Sequence, residues 1–373
     1  MGHHTLRCGL ALCAALLIGE ATAGTDSRLG TLLSGPSHGY ERAEQVRSFT
    51  FPRDHGPHPG FRVEWWYFTG NLDADSGERF GFQLTFFRFG AERRKTPYTA
   101  SAAASSWRAE HLYMAHFAIS DISAAKFHAA ERFSRGALGL AGAQAYPLRV
   151  WLEDWALQED AASGQWHLNA HFDGVALALS LSPLKPVTLQ GDNGLSRKSA
   201  TFGNASYYYS MTRMTAQGTV TTPRGRYRSE GLAWLDREWS TSALDSGQVG
   251  WDWFALQLED GRDVMFYQLR RVDGTADATS AGVVVDGNGA KRKLYAADVI
   301  IDVTRYWTSP RGNRRYPAGW TLHIAGMRKP LEVEPLLNDQ EHRGVIPYWE
   351  GAVRVLGVAG REVGRGYVEL TGY

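Results

Sequence analysis

WWYFTGNLDADSGERFGFQL, residues 65–84, is two strand-like runs around an acidic turn that carries Gly77. In the second run and just beyond it, Phe80, Phe82, Leu84 and Phe86 alternate with Arg79, Gln83 and Thr85. That period of two sets successive side chains on opposite faces of a strand. The pattern returns in WDWFALQLEDGRDVMFYQL, residues 251–269, with a one-residue gap in the turn. Trp65 meets Trp251, Phe68 meets Phe254, Leu72 meets Leu258 and Gly77 meets Gly261. A hairpin that recurs so far along the chain predicts two related β units. HLYMAHFAISD, GRYRSEGLAWLD, GWTLHIAG and GYVELTGY alternate similarly, with glycine-rich punctuation between them, so the chain reads as all-β. The expected architecture is two antiparallel barrels, or strongly curved sheets, packed against each other. Closure removes exposed edges, and a barrel of about eight strands is wide enough for one small ligand. The junction is expected near TTPRGR, giving units 49–225 and 226–373 after an extension at 24–48.

Residues 1–23 read as a secretory signal peptide: a weakly basic start, a short apolar run from Leu10 to Ile18, and Ala21-Thr22-Ala23 as the cleavage pattern. Cys8 and Cys13, the two cysteines of the chain, fall inside it. The mature chain then has no disulfide, no Cys nucleophile and no Cys-ligated metal, which suits export to a bacterial periplasm. The formal net charge is +1 and no basic block stands out, so the sequence gives no reason to expect a nucleic-acid partner. No later run reaches ~18 apolar residues, and no membrane span is expected after cleavage.

FPRDHGPHPGFRVEWWYFTGNL, AHFAISD, YYYSMTR, GLAWLDREWSTSAL, GWDWFALQLEDGRDVMFYQLR and the closing YWEGAV and GRGYVELTGY occur in that order. Together they resemble the carotenoid 1,2-hydratase/AttH-type family of lipocalin-like proteins, from about residue 49 to the C-terminus. The resemblance implies two lipocalin-like domains and an apolar ligand. It also implies one of two functions. The first is a periplasmic protein that binds a hydrophobic isoprenoid or lipid-like molecule, as carrier or companion of an envelope ABC-type permease. The alternative is a hydro-lyase that adds water to a double bond. The chain departs from the hydratase pattern at Arg237, where the Asp-x-x-Trp block carries His. It departs again at Gln268 and Leu269, where an acid is expected.

Hydration of an alkene needs a protonated carboxyl in a poorly solvated pocket, aromatic faces for the cation, and a second polar group to deprotonate water. The segment 234–253 supplies these types: Asp236 and Glu238 as acids, with Trp239, Trp251, Trp253 and, further on, Tyr267 as walls. Alternation puts Trp234, Asp236 and Glu238 on one face, able to point into a barrel, and Leu235, Arg237 and Trp239 on the other. The competing reading is an ordinary ion network of the two acids with Arg237, Arg262 or Arg270. Glu64, Trp66 and Phe68 share one face of the first strand; Trp65 and Tyr67, further candidate wall residues, share the other. Glu64 is then either paired with Arg62 or Arg88 or faces a wet pocket. His116 is either a hydrogen-bonded core histidine or a base. Asp54, His55, His58 and Glu64 are metal-ligand types, but Pro57 and Pro59 break any regular spacing, and neither metal nor cofactor is expected. GDNGLSRKS, residues 191–199, reads as a surface turn. A third place for a ligand is the cleft between the two units, should the barrels be filled by their own side chains.

Overall fold

The computed structural model describes residues 37–91, 110–241 and 244–373. The signal-like segment with both cysteines lies outside them. Among the described residues the fold is almost entirely antiparallel β, in one sheet of thirteen strands, another of ten and a separate two-stranded ribbon. The repeated hairpin opens each sheet. In the first, strand Val63–Ala74 pairs with Arg79–Gly90 on one side and with the returning strand Gly225–Ser240 on the other. In the second, Gln248–Leu258 pairs with Asp263–Arg271 and with the returning strand Glu362–Leu370. Each sheet thus lays its last strand against its first.

This topology moves the expected junction. Gly225–Ser240 closes the first sheet, so the change of sheet falls between Ser240 and Gln248 rather than at residue 225. The first sheet curls until it is nearly a closed barrel, with Arg149–Leu152 near one end packing across on strands from the other. Its interior is filled by Trp66, Phe68, Phe82, Phe117, Trp155 and Trp239, among others. The second, also curved, buries Phe254, Phe266, Trp320 and Trp349. Among the described residues, the aromatic side chains that could have lined a ligand cavity in the first barrel pack its interior instead.

The outer faces are apolar as well. Tyr67, Tyr208, Trp234, Trp253, Tyr267 and Tyr367 form a third cluster, between the sheets. Burying one such side chain is worth ~1.5–3 kcal/mol, so a sheet that is apolar on both faces is stable only with a partner on each. Tyr67 meets Trp253, its counterpart in the repeat, edge-on at 5.1 Å. The two halves therefore join through equivalent faces.

Candidate functional site

Where this junction opens, it leaves a cavity of about 130 Å³. From the first sheet it receives Trp65, Tyr67, His116, Tyr208, Asp236 and Glu238. From the second come Trp251, Trp253, Tyr267, Tyr348 and Glu369, and Lys198 enters from the loop after a short strand. The cleft between the units is thus where Trp65, Tyr67, His116, Asp236, Glu238, Trp251, Trp253 and Tyr267 of the candidate residues gather.

Asp236 lies opposite Tyr67 in the strand register, and Glu369 lies opposite Trp253. Since Tyr67 and Trp253 are repeat equivalents, Asp236 and Glu369 occupy equivalent places in the two sheets. Asp236 is 4% exposed. It accepts hydrogen bonds from the Tyr208 hydroxyl, from Ser210 Oγ at 2.5 Å and from Trp234 Nε1 at 2.7 Å. Burial raises its pKa, these bonds resist the rise, and the Glu238 charge adds to it, leaving it at about 6. Burial lifts Glu369 further, to about 8, with a Trp251 hydrogen bond opposing and the charges of Asp236 and Glu238 assisting. Among the described residues, neither carboxyl has an Arg or Lys within ion-pair distance.

Glu238 is different. Lys198 Nζ sits 2.8 Å from its Oε1, and Ser206 Oγ donates to the same oxygen. The ammonium also lies 4.5 Å from the Tyr267 ring centre and 5.1 Å from that of Tyr208. Burial opposes the charge on Lys198, but Glu238 and Tyr267 outweigh it and its pKa is raised. The expected ion network with Arg237, Arg262 or Arg270 does not form: those side chains engage Glu64, Asp260 and Asp252 instead. Segment 191–199 is a surface turn only in part: Asp192 and Asn193 are exposed in the turn, but Leu195 and Ser196 are buried, Ser196 is hydrogen-bonded to Tyr267 at 3.0 Å, and Lys198 turns inward to Glu238.

Glu64 does not reach the cavity. It is fully buried on the barrel side, where Arg88 Nε and Arg237 Nη2 both donate to it. Burial alone would raise its pKa, but the two guanidiniums prevail and hold it well below the carboxylate range. Of the two arginines expected beside it, Arg88 is thus a partner, and Arg62 is not an ion-pair partner of Glu64. Trp66 and Trp239 also face the barrel: Arg237 covers Trp66 at 3.9 Å, and His58 stacks on Trp239 at 3.7 Å. Strand alternation turns Glu64, Trp66 and Trp239 to the barrel as it sends their neighbours Trp65, Tyr67 and Glu238 to the junction. His58 also hydrogen-bonds Arg237. Among the described residues no group of three His, Asp or Glu is placed to hold a metal.

His116 sits at the cavity edge, hydrogen-bonded to the Tyr348 hydroxyl at 2.7 Å and to Glu131 Oε2 at 3.0 Å. Glu350 lies behind Glu369, directly across from it in the adjoining strand. Both Glu350 carboxyl oxygens are buried without a hydrogen bond of good geometry, and the Tyr67 hydroxyl near them is likewise unsatisfied. Burial and the neighbouring Glu369 raise the Glu350 pKa well above the ordinary range. Sequence reasoning missed Glu369, Glu350, Lys198, Tyr208 and Tyr348 as site residues. The available signal was alternation in GYVELTGY, which puts Tyr367 and Glu369 on one face.

A nearly closed antiparallel barrel joined to a second curved sheet defines a two-unit lipocalin-like fold. Residues 42–373 match the AttH-like family, and the chain belongs to it. An AttH-type protein of Nitrosomonas europaea has a similar structure, with a TM-score of 0.79 and 32% identity over 89% of this chain and 99% of that one. Kievitone hydratase of Nectria haematococca shares the fold at a TM-score of 0.65 and 13% identity, covering 90% of this chain and 96% of that one. In sequence, kievitone hydratase of Fusarium solani subsp. phaseoli is 24% identical over 169 residues, 43% of this chain. The match spans 47% of that relative's length, about half.

Proposed function

We propose that this protein is a hydro-lyase, adding water to, or removing it from, an apolar unsaturated molecule held between the two sheets. One observation carries the reading: Asp236 and Glu369, free of ion-pair partners among the described residues, face one aromatic cavity with pKa values of about 6 and about 8. A carrier needs only an apolar lining. Two carboxyls whose surroundings set them either side of neutrality are an acid and a base. The hydratase names among the relatives support the same class.

In the hydration direction, the protonated Glu369 gives its proton to one alkene carbon. The C=C π pair forms the new C–H bond, and the other carbon becomes cationic against the faces of Trp65, Trp251 and Trp253. Water adds there through its oxygen lone pair and loses a proton to the Asp236 carboxylate, which Tyr208, Ser210 and Trp234 hold in place. The product is the alcohol, and the proton on Asp236 restores Glu369. Lys198 pairs with Glu238 and holds its carboxyl in place beside them. The proposal places the enzyme in the periplasm on the strength of segment 1–23, and it requires no permease.

The test offers isoprenoids with a terminal trisubstituted double bond, such as lycopene, in 18O-labelled water and reads the mass of the product. Incorporation of label by the wild type is expected. Glu369→Gln should lower turnover about 10²–10⁴-fold, the usual worth of a positioned acid, with substrate affinity within a few-fold. Full turnover by Glu369→Gln would remove it as the acid. Tight binding by the wild type with no labelled product from any such alkene would restore the carrier.

A further inference from the structure

The cavity already holds one organic cation. Lys198 brings its ammonium over the rings of Tyr208 and Tyr267 with the Glu238 carboxylate at 2.8 Å, a cation held by π faces and one counter-charge. The wall around Glu369 has the same parts without a paired cation, with Trp251 hydrogen-bonded to the carboxyl. Trp65, Trp251 and Trp253 supply the rings, and Glu369 supplies the carboxyl. Behind it Glu350 is 1% exposed, with the Tyr67 and Tyr348 hydroxyls beside it and no cation paired to it among the described residues. Two carboxyls set across from each other, Glu350 buried and Glu369 half-buried at the cavity wall, must hold a proton or meet a positive charge.

We infer that the Glu369 end of the cavity is a subsite for the ammonium group of an apolar amine, with its alkyl chain lying along the aromatic walls. The ligand class follows from the lining. Ring faces replace the weak hydration of a tertiary or quaternary ammonium. A hard inorganic cation needs six or more oxygen ligands, and the described residues present no such cluster. The inference concerns the pocket of the proposed hydro-lyase and rests on that reading in one respect: a bound ammonium stands where the cationic intermediate would stand, beside an ionised Glu369.

Proton linkage makes the subsite measurable. Glu369 faces Glu350 and Tyr348 from the neighbouring strand, and Tyr67, Asp236 and Glu238 from the first sheet. Lys198, Tyr208, Tyr267 and His116 complete the titratable groups around the cavity. Of the carboxyls at the cavity surface, Asp236 is mostly ionised at pH 7, while Glu369 still holds its proton. Binding of a fixed positive charge should expel that proton.

The probe is decyltrimethylammonium, with 1-decanol as the uncharged control, titrated calorimetrically into wild type at pH 6 to 9 in buffers of different ionisation enthalpy. The expected result is release of about one proton per ammonium bound at pH 7. Affinity for the ammonium should rise about tenfold per pH unit below 8 and then level off, while decanol binding stays flat with pH. Glu369→Gln, checked for folding by circular dichroism, should lose both the release and the slope. An ammonium no tighter than decanol at pH 8 would overturn the inference, as would undiminished proton release from Glu369→Gln. The hydration reading fails separately. Loss of labelled product in Glu369→Gln without ammonium preference would overturn the subsite alone, whereas proton-linked ammonium binding without alkene turnover would uphold it.

Discussion

Glu64 is a carboxyl fully buried in the barrel and Glu369 a half-buried one at the cavity wall, and their surroundings drive them in opposite directions. Two guanidiniums grip Glu64 and keep it ionised, while Glu369 has aromatic rings and other acids around it and holds its proton. Glu64 serves the barrel. Glu64→Ala would leave Arg88 and Arg237 charged and unpaired inside it, at a cost of about 3–5 kcal/mol. Urea unfolding should show that loss, with the ammonium site of any protein that still folds unchanged. The pH dependence separates the two residues. A depressed pKa such as that of Glu64 contributes stability that is present above the unfolded value and lost as pH falls through the folded one. The raised pKa of Glu369 contributes stability that is full below its ordinary 4.5 and lost as pH rises through about 8. Unfolding free energies measured from pH 4.5 to 8.5 should therefore fall on the alkaline side. Glu369→Gln should remove part of that slope, on the order of 3–5 kcal/mol. An unchanged slope would mean that Glu369 is ionised in the native protein.

The strands were legible where alternation governs them. The faces of Val63–Ala74 and Gly225–Ser240 were sorted correctly: Trp65 with Tyr67, and Trp234 with Asp236 and Glu238. Which face looked into a barrel was not legible, because both faces are buried and both are aromatic. The hairpin repeat showed two related units but not the return strands, whose distance along the chain differs between the halves. Thus Asp236 was found by its motif, and its counterpart Glu369 was not. Contacts such as His116 with Tyr348, 232 residues apart, exist only after the sheets meet. At this scale Gly81 tests the packing. It lies on the junction face of Arg79–Gly90, where an added Cβ would stand 2.5 Å from Ala352 Cβ and 2.9 Å from the Tyr367 hydroxyl. Gly81→Ala should cost about 1–3 kcal/mol by overpacking and weaken ligand binding in the cavity, read together by chemical unfolding and decanol titration. Unfolding at the wild-type urea midpoint would show that the junction yields freely.

Between the sheets, a polar clamp complements the aromatic cluster. Asp263 of the second sheet is fully buried and takes Lys185 Nζ at 2.7 Å and Arg213 Nη2 at 2.7 Å from the first, with Thr212 Oγ1 donating at 2.8 Å. Lys185 also donates to the Gly261 carbonyl at 2.6 Å, in the hairpin turn of the second sheet. Each sheet has its own filled interior, so the molecule behaves as one body only while this junction holds, and the cavity exists only in the joined form. Asp263→Ala leaves the buried Lys185 and the half-buried Arg213 facing each other without their counter-charge, a loss of about 3–5 kcal/mol concentrated at the junction rather than in either interior. Calorimetry of the wild type should show one cooperative transition. In Asp263→Ala it should divide into two, the earlier one accompanied by loss of decanol binding, because the cavity walls part before either sheet melts. A single transition merely shifted to lower temperature would mean that the aromatic cluster alone couples the sheets and that the clamp adds stability without controlling the site.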